Sequence, residues 1–165
     1  MVPMARRSFA LVPASYVFLM RGREVLLQKR HNTGYMDGFW AAGAAGHVEP
    51  RETARQAAVR EAREELGVAI EPAGLQLVTV MQRTDGTDTP REQRVDWFWT
   101  AREWHGDPVI VEPHKTWGLE WFPLDTLPTP IPDHERLVLD GLRKEQLPTD
   151  TAHGFPEEAA HLRSS

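Results

Sequence analysis

The segment from residue 46 to residue 68 constrains the fold more than any other part of the chain. Within it, residues 53–66 have the spacing of an amphipathic helix, with Thr53 and Gln56 placed as a capping box and Gly67 where a helix commonly ends. At about 100° per residue, this helix has one acidic sector, alanines beside it, and an opposing apolar stripe. The acidic sector is Glu61, Glu64 and Glu65, the alanines are Ala54, Ala57 and Ala58, and the stripe is Val59, Ala62 and Leu66. We therefore expect the stripe to face the core and the short alanines to let a ligand approach the acidic ridge.

The three glutamates are poorly placed for the stability of the helix itself. Glu61 is a like-charge neighbour of Glu64 at i+3 and of Glu65 at i+4, and each such pair costs a bare helix about 0.2–0.5 kcal/mol. All three lie in the last two turns, where the helix dipole favours cations. Mg²⁺ would offset both effects, because it takes oxygen ligands and keeps positions open for phosphate oxygens. For the helix alone, a solvated charged face is the alternative interpretation.

The residues around the helix follow a fixed pattern of glycine, acid and arginine. The pattern runs Gly46, five residues, Glu52, seven residues, Arg60-Glu61, Ala62, any residue, Glu64-Glu65, any residue, Gly67 and Val68. It resembles the Nudix box and disfavours the solvated-face interpretation. The resemblance implies a hydrolase that depends on Mg²⁺, with Mn²⁺ as a substitute, and splits a diphosphate linkage in a nucleoside diphosphate joined to another group.

The same resemblance implies roles for residues of the box. Metal ligands would be Glu61, Glu64, Glu65 and the carbonyl of Ala45, and the catalytic set would include Glu61, Glu64 and Arg60. Structural positions would be Gly46, Glu52 and Gly67, with an ion pair between Glu52 and Arg60 that ties the loop to the helix. Many Nudix proteins have a proline just before the box glycine. Here Ala42-Gly43-Ala44-Ala45 stands in its place and reads as one residue longer, so the local backbone differs from the family pattern.

Residues outside the box are candidates for proton transfer and phosphate binding. Glu112, in Val111-Glu112-Pro113-His114-Lys115, corresponds to the general base of some relatives, and Glu64 or Glu65 is the alternative base. The candidates for contact with phosphate are Lys29, Arg30, His47 and Lys115. Each has an ordinary alternative, since exposed lysines, loop glutamates and packed histidines are common.

Aromatic residues are candidates for binding a nucleobase, since stacking on an aromatic face contributes about 1–3 kcal/mol per base. The candidates are Tyr35, Phe39, Trp97, Trp99, Trp117 and Trp121. Aromatic residues at strand spacing more often belong to the core, so the sequence does not select among them.

The remaining pattern predicts an α/β domain. Strands are predicted at residues 14–20, 25–30, 75–82 and 95–101, and a second helix, capped by Asp133, extends to about Gln146. The Nudix resemblance implies an α/β/α sandwich with a mixed sheet. A single domain is expected over residues 1–148, followed by a polar, loosely ordered tail over 149–165.

Composition excludes several classes of protein. The net charge of −5 leaves no basic stripe for a nucleic-acid polymer, and the absence of cysteine excludes disulfides, thiol catalysis and cysteine-bound zinc. Arg6-Arg7 before an apolar run is reminiscent of an export signal, but Pro13 interrupts the run and no cleavage site follows. We therefore expect a strand here and a cytoplasmic enzyme without a membrane segment. The sequence leaves a homodimer open.

Three functions remain in competition. The Glu112-Pro113-x-Lys115 element and the Trp121 turn resemble the branch that converts nucleoside triphosphates, intact or damaged, to monophosphate and pyrophosphate. Cleavage of ADP-ribose or a nucleotide sugar is the second possibility, and nucleotide sensing without turnover is the third. The isoprenoid-diphosphate isomerase branch is disfavoured, because its catalytic cysteine has no counterpart in this chain.

Overall fold

The computed structural model describes residues 7–156 of the 165-residue chain. Within this range the backbone forms eight strands and two α-helices. The strands are β1 (Val12–Arg21), β2 (Glu24–Arg30), β3 (Trp40–Ala42), β4 (Ala44–His47), β5 (Leu75–Arg83), β6 (Arg94–Ala101), β7 (Thr116–Pro123) and β8 (Asp150–His153). The helices are α1 (Ala54–Leu66) and α2 (Asp133–Lys144).

The strands form one mixed sheet whose two parts meet along β1. The larger part has the order β4-β1-β6-β5-β8, in which β1–β6 and β5–β8 are parallel and the other pairs antiparallel. In the smaller part, β2 lies between β3 and β7 in antiparallel pairing. The end of β1 leaves β4 and pairs with β2 through Met20 and Arg21. Because β4 pairs only with β1 among the described strands, its other edge is open beside α1.

Each face of the sheet is covered by one helix. Successive strand residues point to opposite faces, so β1 contributes Val17 and Leu19 to the side of α1, and Tyr16 and Phe18 to the side of α2. The helices complete these two cores with Ala58, Ala62 and Leu66 from α1, and Val138 and Leu139 from α2. The predicted α/β/α sandwich with a mixed sheet is confirmed.

Most predicted elements are confirmed to within a few residues. The four predicted strands correspond to β1, β2, β5 and β6, and the predicted helix over 53–66 is α1 with Thr53 as its N-cap. In β6, Trp97 and Trp99 pack on the side of α1 and Phe98 packs on the side of α2, which is the alternation of a strand.

The start of α2 differs from the prediction. Asp133 is the first residue of the helix and not its cap, since Pro132 is the N-cap and no side chain bonds there. The helix ends at Lys144, where Glu145 adopts a left-handed conformation with φ 54°. A side-chain cap was inferred from residue type, whereas here Pro132 determines the entry of the chain into the helix.

The C-terminal segment also differs in part. The loose order predicted for residues 149–165 is wrong at residues 150–153, because these form β8 in parallel pairing with β5. Residues 157–165 and Arg6 of the arginine pair lie outside the described residues. The division between a domain over 1–148 and a tail stays a prediction. Within residues 7–156, no helix is both long and apolar enough to span a membrane.

Candidate active site

The ends of α1 are fixed by its own sequence. The Thr53 hydroxyl accepts from the Gln56 N–H at 3.1 Å, and the Gln56 side chain accepts from the Thr53 N–H at 2.8 Å. At the other end, Gly67 has φ 68° and donates to the Arg63 carbonyl at 3.0 Å. The capping box and the glycine cap predicted from sequence are confirmed. They determine where the glutamates of the last two turns project.

The alanines of α1 have a different role from the one predicted. Ala57, Ala58 and Ala62 are fully buried, and the Ser15 hydroxyl of β1 donates to the Ala54 carbonyl at 2.6 Å. The short side chains therefore let the helix lie close to the sheet and do not open the acidic ridge to a ligand. Val59 faces the core as predicted, because it packs against the cluster on the side of α1, although it is only half-buried.

Arg60 is the centre of an ion-pair network on the acidic ridge. Its guanidinium donates to both oxygens of Glu52, at 2.8 and 3.1 Å, and so ties the loop before α1 to the helix. It also donates to Glu61 at 2.7 Å, to Glu64 at 3.1 Å and to the carbonyl of His47 at 3.0 Å. These bonds lower the pKa of Glu52 and keep Arg60 charged. The Glu52–Arg60 ion pair is thus present in the geometry that the resemblance implied.

Gly46 permits close contact between β4 and α1. A Cβ atom at this position would overlap the carboxylate of Glu61. The box glycine is therefore explained by space, because Glu61 packs directly on the backbone of residue 46.

Gly46→Ala is expected to lower the free energy of unfolding by about 1–3 kcal/mol, because the added methyl group forces Glu61 away from the strand. Urea denaturation measures this change. Gly74→Ala is the control, since a Cβ there meets no atom within 4 Å and the backbone is not left-handed. Equal stabilities of the two variants would show that Glu61 does not pack on Gly46.

Glu65 is held against the open edge of β4. Its carboxylate accepts from the Ala45 N–H at 2.6 Å. A strand residue directs its N–H and C=O to the same edge of the strand. Because the Ala45 N–H points away from β1, its carbonyl oxygen also lies on the open edge, beside Glu65. This orientation is the one that the predicted metal-binding role of Ala45 requires.

The electrostatic setting of this edge favours a cation. Burial, together with the nearby carboxylates of Glu61 and Glu112, raises the pKa of Glu65 to about 8 against the lowering effect of the Ala45 N–H. Burial also raises the pKa of Glu61 above its ordinary value. Crowded, partly buried carboxylates cost free energy unless a positive charge compensates them. Together with the Ala45 carbonyl, they form a set of oxygen donors that fits a hard divalent cation.

The three glutamates do not already converge on one point. Within residues 7–156, no group of three acidic or histidine side chains is arranged to hold a metal ion. The reason is that Glu61 and Glu64 are turned towards Arg60, whereas Glu65 faces Ala45. Glu64 is 56% exposed, and an exposed ion pair contributes only about 0–1 kcal/mol. Rotation of Glu64 from Arg60 towards a metal is therefore inexpensive.

A cavity of about 330 Å³, hereafter the small cavity, adjoins this edge. It is lined by Gln28, Arg30, Asn32, Thr33, Ala45, Glu65, Glu112, Lys115 and Thr116. The Lys115 ammonium lies 3.4 Å from Glu112, and Arg30 is held by the hydroxyl of Thr33 at 3.2 Å. The structure thus brings together five predicted site residues from β2, β4, α1 and the loop before β7, namely Arg30, Ala45, Glu65, Glu112 and Lys115.

A second cavity of about 530 Å³, hereafter the large cavity, opens on the side of α2. Arg30 and Ala45 line both cavities, and His47 lines the large one. Lys29 lines neither cavity, and its ammonium lies 5.7 Å from the ring centre of Trp40. Lys29 is therefore the one predicted phosphate contact that the structure does not bring to the site.

The large cavity contains charged residues that the sequence analysis missed. Arg83, Arg94 and Glu135 line it, and Asp96 lies beneath it. The available signal was a charge within an otherwise apolar strand, at Arg83 after 75–82 and at Asp96 within 95–101. A buried strand accommodates such a charge only where it is paired or serves a site.

The aromatic candidates separate by burial. Trp97, Trp99 and Trp121 pack in the core on the side of α1 and are not stacking platforms. Trp117 is 62% exposed and stacks on His31 with ring centres 4.0 Å apart. Tyr35 is 50% exposed and lines the large cavity. Of the six candidates, Tyr35 and Trp117 are therefore the exposed aromatic faces, while Phe39 is half-buried.

Glu135 gives the fold a pH dependence that can be measured. Burial raises its pKa to about 7, although its carboxylate accepts from the Ala42 N–H at 2.7 Å. Between its ordinary pKa near 4.5 and a value near 7, the unfolded chain loses this proton and the folded chain keeps it. The contribution of Glu135 to stability therefore falls as pH rises through this range.

Glu135→Gln is expected to be about as stable as the wild type at pH 4.5 and more stable by about 3 kcal/mol at pH 8, because the amide keeps the acceptor oxygen and cannot ionise. Urea denaturation at several pH values measures the difference. The exposed Glu71→Gln should show no such trend. A difference that is constant with pH would mean that Glu135 titrates normally.

The fold and the site together define a class of protein. It is an α/β/α sandwich in which glutamates of α1 pack against β4, at residues 45–46, on the edge of a mixed sheet. The NUDIX domain family model matches residues 10–142, and the chain belongs to the Nudix family of hydrolases. Members of this family typically depend on a divalent metal ion and act on small nucleotide substrates.

Individual relatives differ in their reported activity. The chain is similar to an isopentenyl-diphosphate Delta-isomerase of Cereibacter sphaeroides, with 33% identity over 132 residues covering 77% of this chain and 72% of the relative. It is 30% identical over 118 residues to the NAD-capped RNA hydrolase NudC of Stutzerimonas stutzeri, covering 72% of this chain and 38% of that protein. Among solved structures, the MutT NUDIX hydrolase from Burkholderia pseudomallei matches with a TM-score of 0.71 and 30% identity, covering 79% of this chain and 97% of the other.

Proposed function

We propose that this chain is a Mg²⁺-dependent pyrophosphohydrolase that splits a diphosphate linkage in a nucleoside diphosphate derivative. The observation that carries the proposal is the contact of Glu61 and Glu65 with residues 45–46, which places carboxylates beside a free carbonyl. Arg30 and Lys115 line the small cavity next to this edge. Acidic ligands for a cation on one wall and basic side chains on another suit a bound diphosphate.

The proposed roles follow from these positions. A bound divalent cation neutralises phosphate charge and lowers the pKa of a water molecule. The groups that would hold Mg²⁺, or Mn²⁺ in its place, are Glu61, Glu64, Glu65 and the Ala45 carbonyl. Arg60 orients two of these glutamates and connects them through Glu52 to the loop. The side chains proposed to contact phosphate are Arg30, His47 and Lys115.

Glu112 is the proposed general base. It lies in the small cavity with Glu65, is partly exposed, and pairs with Lys115 at 3.4 Å. A carboxylate accepts a proton from water in its ionised form, and the Lys115 ammonium lies close enough to balance that charge. Glu65 is less suited to the role because burial raises its pKa to about 8. Glu64 is the remaining alternative.

We propose a nucleoside triphosphate, intact or chemically modified, as the substrate, with monophosphate and pyrophosphate as products. Similarity to a structure described as a MutT NUDIX hydrolase supports this assignment, as does the position of Glu112 and Lys115 in one cavity. The test is a panel of nucleotides with Mg²⁺, read by product identity. Release of pyrophosphate supports the triphosphate assignment.

A second candidate is cleavage of ADP-ribose or a nucleotide sugar. The observation that favours it is the presence of two cavities, of about 330 and 530 Å³, on either side of Arg30 and Ala45. Such a substrate carries a bulky group on each side of its diphosphate and would occupy both. In the same panel, two monophosphate products in place of pyrophosphate identify this activity.

A nucleotide sensor without turnover is the third alternative, and the complete set of glutamates disfavours it. Retained nucleotide binding without any Mg²⁺-dependent turnover would favour it. The isomerase activity of a relative is not carried over, because this chain contains no cysteine. We propose a cytoplasmic enzyme that acts on small molecules.

A further inference from the structure

The floor of the large cavity carries a buried excess of positive charge. Arg83 on β5 and Arg94 on β6 are directly opposite each other in the antiparallel ladder, and like charges in that arrangement repel. Their side chains are only 10% and 14% exposed. Both lie next to one carboxylate, that of the fully buried Asp96. Two guanidinium groups therefore share a single negative charge.

The sharing is unequal. Arg83 donates from Nε to Asp96 Oδ2 at 2.8 Å and from Nη2 to the Tyr16 hydroxyl at 3.3 Å. Arg94 Nε lies 3.6 Å from Asp96 Oδ1, which is too far for a hydrogen bond. Both of these atoms are buried without a hydrogen-bond partner among the described residues. Asp96 thus satisfies Arg83, whereas Arg94 keeps unmet donor capacity at the cavity.

The other charges around the cavity do not remove the excess. Arg91 and Glu92 pair with each other at 3.2 Å. Arg30 lines the cavity and has no ion pair among residues 7–156. Glu135 is buried with a pKa raised to about 7, and His134 is kept neutral because burial and Arg83 lower its pKa. Even with Glu135 ionised, three guanidinium groups face two carboxylates.

We propose that the large cavity is a second phosphate-binding subsite, in which Arg83 and Arg94 hold a phosphate group other than the diphosphate that is cleaved. Residues 45–47 line the same cavity, so the subsite adjoins the proposed metal site. A guanidinium fork matches the geometry of phosphate oxygens, whereas a neutral nucleobase would leave the buried charge uncompensated. This inference rests on the proposed function and narrows its substrate class.

The bound phosphate could belong to either of two parts of a nucleotide. Pairs of ligands that differ by one phosphate distinguish the two. One is the terminal phosphate of a nucleoside triphosphate, tested by α,β-methylene-ATP against α,β-methylene-ADP. The other is a phosphate on the ribose, tested by adenosine 2′,5′-bisphosphate and adenosine 3′,5′-bisphosphate against AMP. None of these compounds has a cleavable α,β-anhydride. Titration calorimetry with Mg²⁺ therefore measures binding independently of turnover.

For the wild type, we expect the member with the extra phosphate to bind at least about tenfold more tightly in one of the two sets. Arg94→Met should bring the ratio of the two Kd values, without and with the extra phosphate, near one. It should leave the Kd of the smaller member unchanged. The Arg83–Asp96 bond persists in this variant. Arg94→Lys keeps the charge and should retain part of the ratio. Arg102→Met, at an exposed position just beyond the end of β6, is the matched control and should keep the wild-type ratio.

The outcomes separate this inference from the proposed function. Wild-type ratios near one in both sets would overturn the inference, and so would a ratio that Arg94→Met leaves intact. Where Arg94→Met does not fold, Arg94→Lys carries the test, and an unchanged ratio in that variant would overturn the inference. A large ratio without Mg²⁺-dependent turnover would support the subsite and contradict the proposed hydrolysis. Mg²⁺-dependent turnover with wild-type Kd ratios near one would support the proposed hydrolysis and contradict the subsite.

Discussion

Glu64→Gln is expected to reduce Mg²⁺-dependent turnover by at least about 1,000-fold and to leave the fold intact. The amide keeps the shape of the side chain but supplies no negative charge to a metal ion, and charge stabilisation is the largest component of catalysis at such sites. The side chain is 56% exposed and bonds Arg60 at 3.1 Å, so its replacement should change stability by less than about 1 kcal/mol. Turnover on the nucleotide panel and circular dichroism measure the two effects.

The control for this variant is Glu71→Gln, which removes an exposed carboxylate just beyond α1 and should keep wild-type turnover. Calorimetric titration with Mg²⁺ and a nucleotide then tests whether the loss arises from the metal. Wild-type turnover in Glu64→Gln would remove Glu64 from the metal site, and the ligands would have to come from Glu61, Glu65 and Ala45 alone.

Helix α1 could be predicted from sequence because its determinants are local. The capping box joins residues three positions apart, the glycine cap follows the last turn, and the ion pair of Arg60 with Glu64 spans one turn. The strands β1, β2, β5 and β6 were predictable for the same reason, since a run of apolar or alternating residues is a short-range signal. The arrangement of these strands and helices as a sandwich was then implied by the family resemblance.

Features that depend on tertiary contacts could not be predicted. Ala57 and Ala58 appear beside the acidic sector on a helical projection, but the position of β1 and β4 decides that they are buried. The same holds for Trp117, which has the same residue type as Trp99 but is 62% exposed at the start of β7, whereas Trp99 is buried in β6. Strand β8 is four polar-leaning residues that become ordered only by pairing with β5.

The charged floor of the large cavity is the clearest example. Arg83, Arg94 and Asp96 come from two strands, and Glu135 comes from α2, about 40 residues further along the chain. Their juxtaposition is set by the β5–β6 register, which pairs Arg83 with Arg94. No spacing rule in the sequence connects them. The sequence therefore shows charged residues in otherwise apolar strands, but it does not show that they meet at one cavity.

Glu112→Gln is expected to lower kcat by about 1,000-fold with little change in KM. A general base acts on the proton of water in the transition state and not on substrate binding, and loss of such a base typically costs 10²–10⁴-fold. The Lys115 ammonium, 3.4 Å away, can still face phosphate in the variant. Steady-state kinetics on the nucleotide substrate measure both constants.

Glu120→Gln is the matched control, because Glu120 is an exposed carboxylate on β7 that lines neither cavity. It should keep wild-type kcat and KM. Unaltered kinetics in Glu112→Gln would move the base to α1, where Glu64 is the exposed candidate. A rise in KM at constant kcat would instead assign Glu112 to binding, for example through its hold on Lys115. Because the variant keeps the size of the side chain, the split between kcat and KM distinguishes proton transfer from positioning.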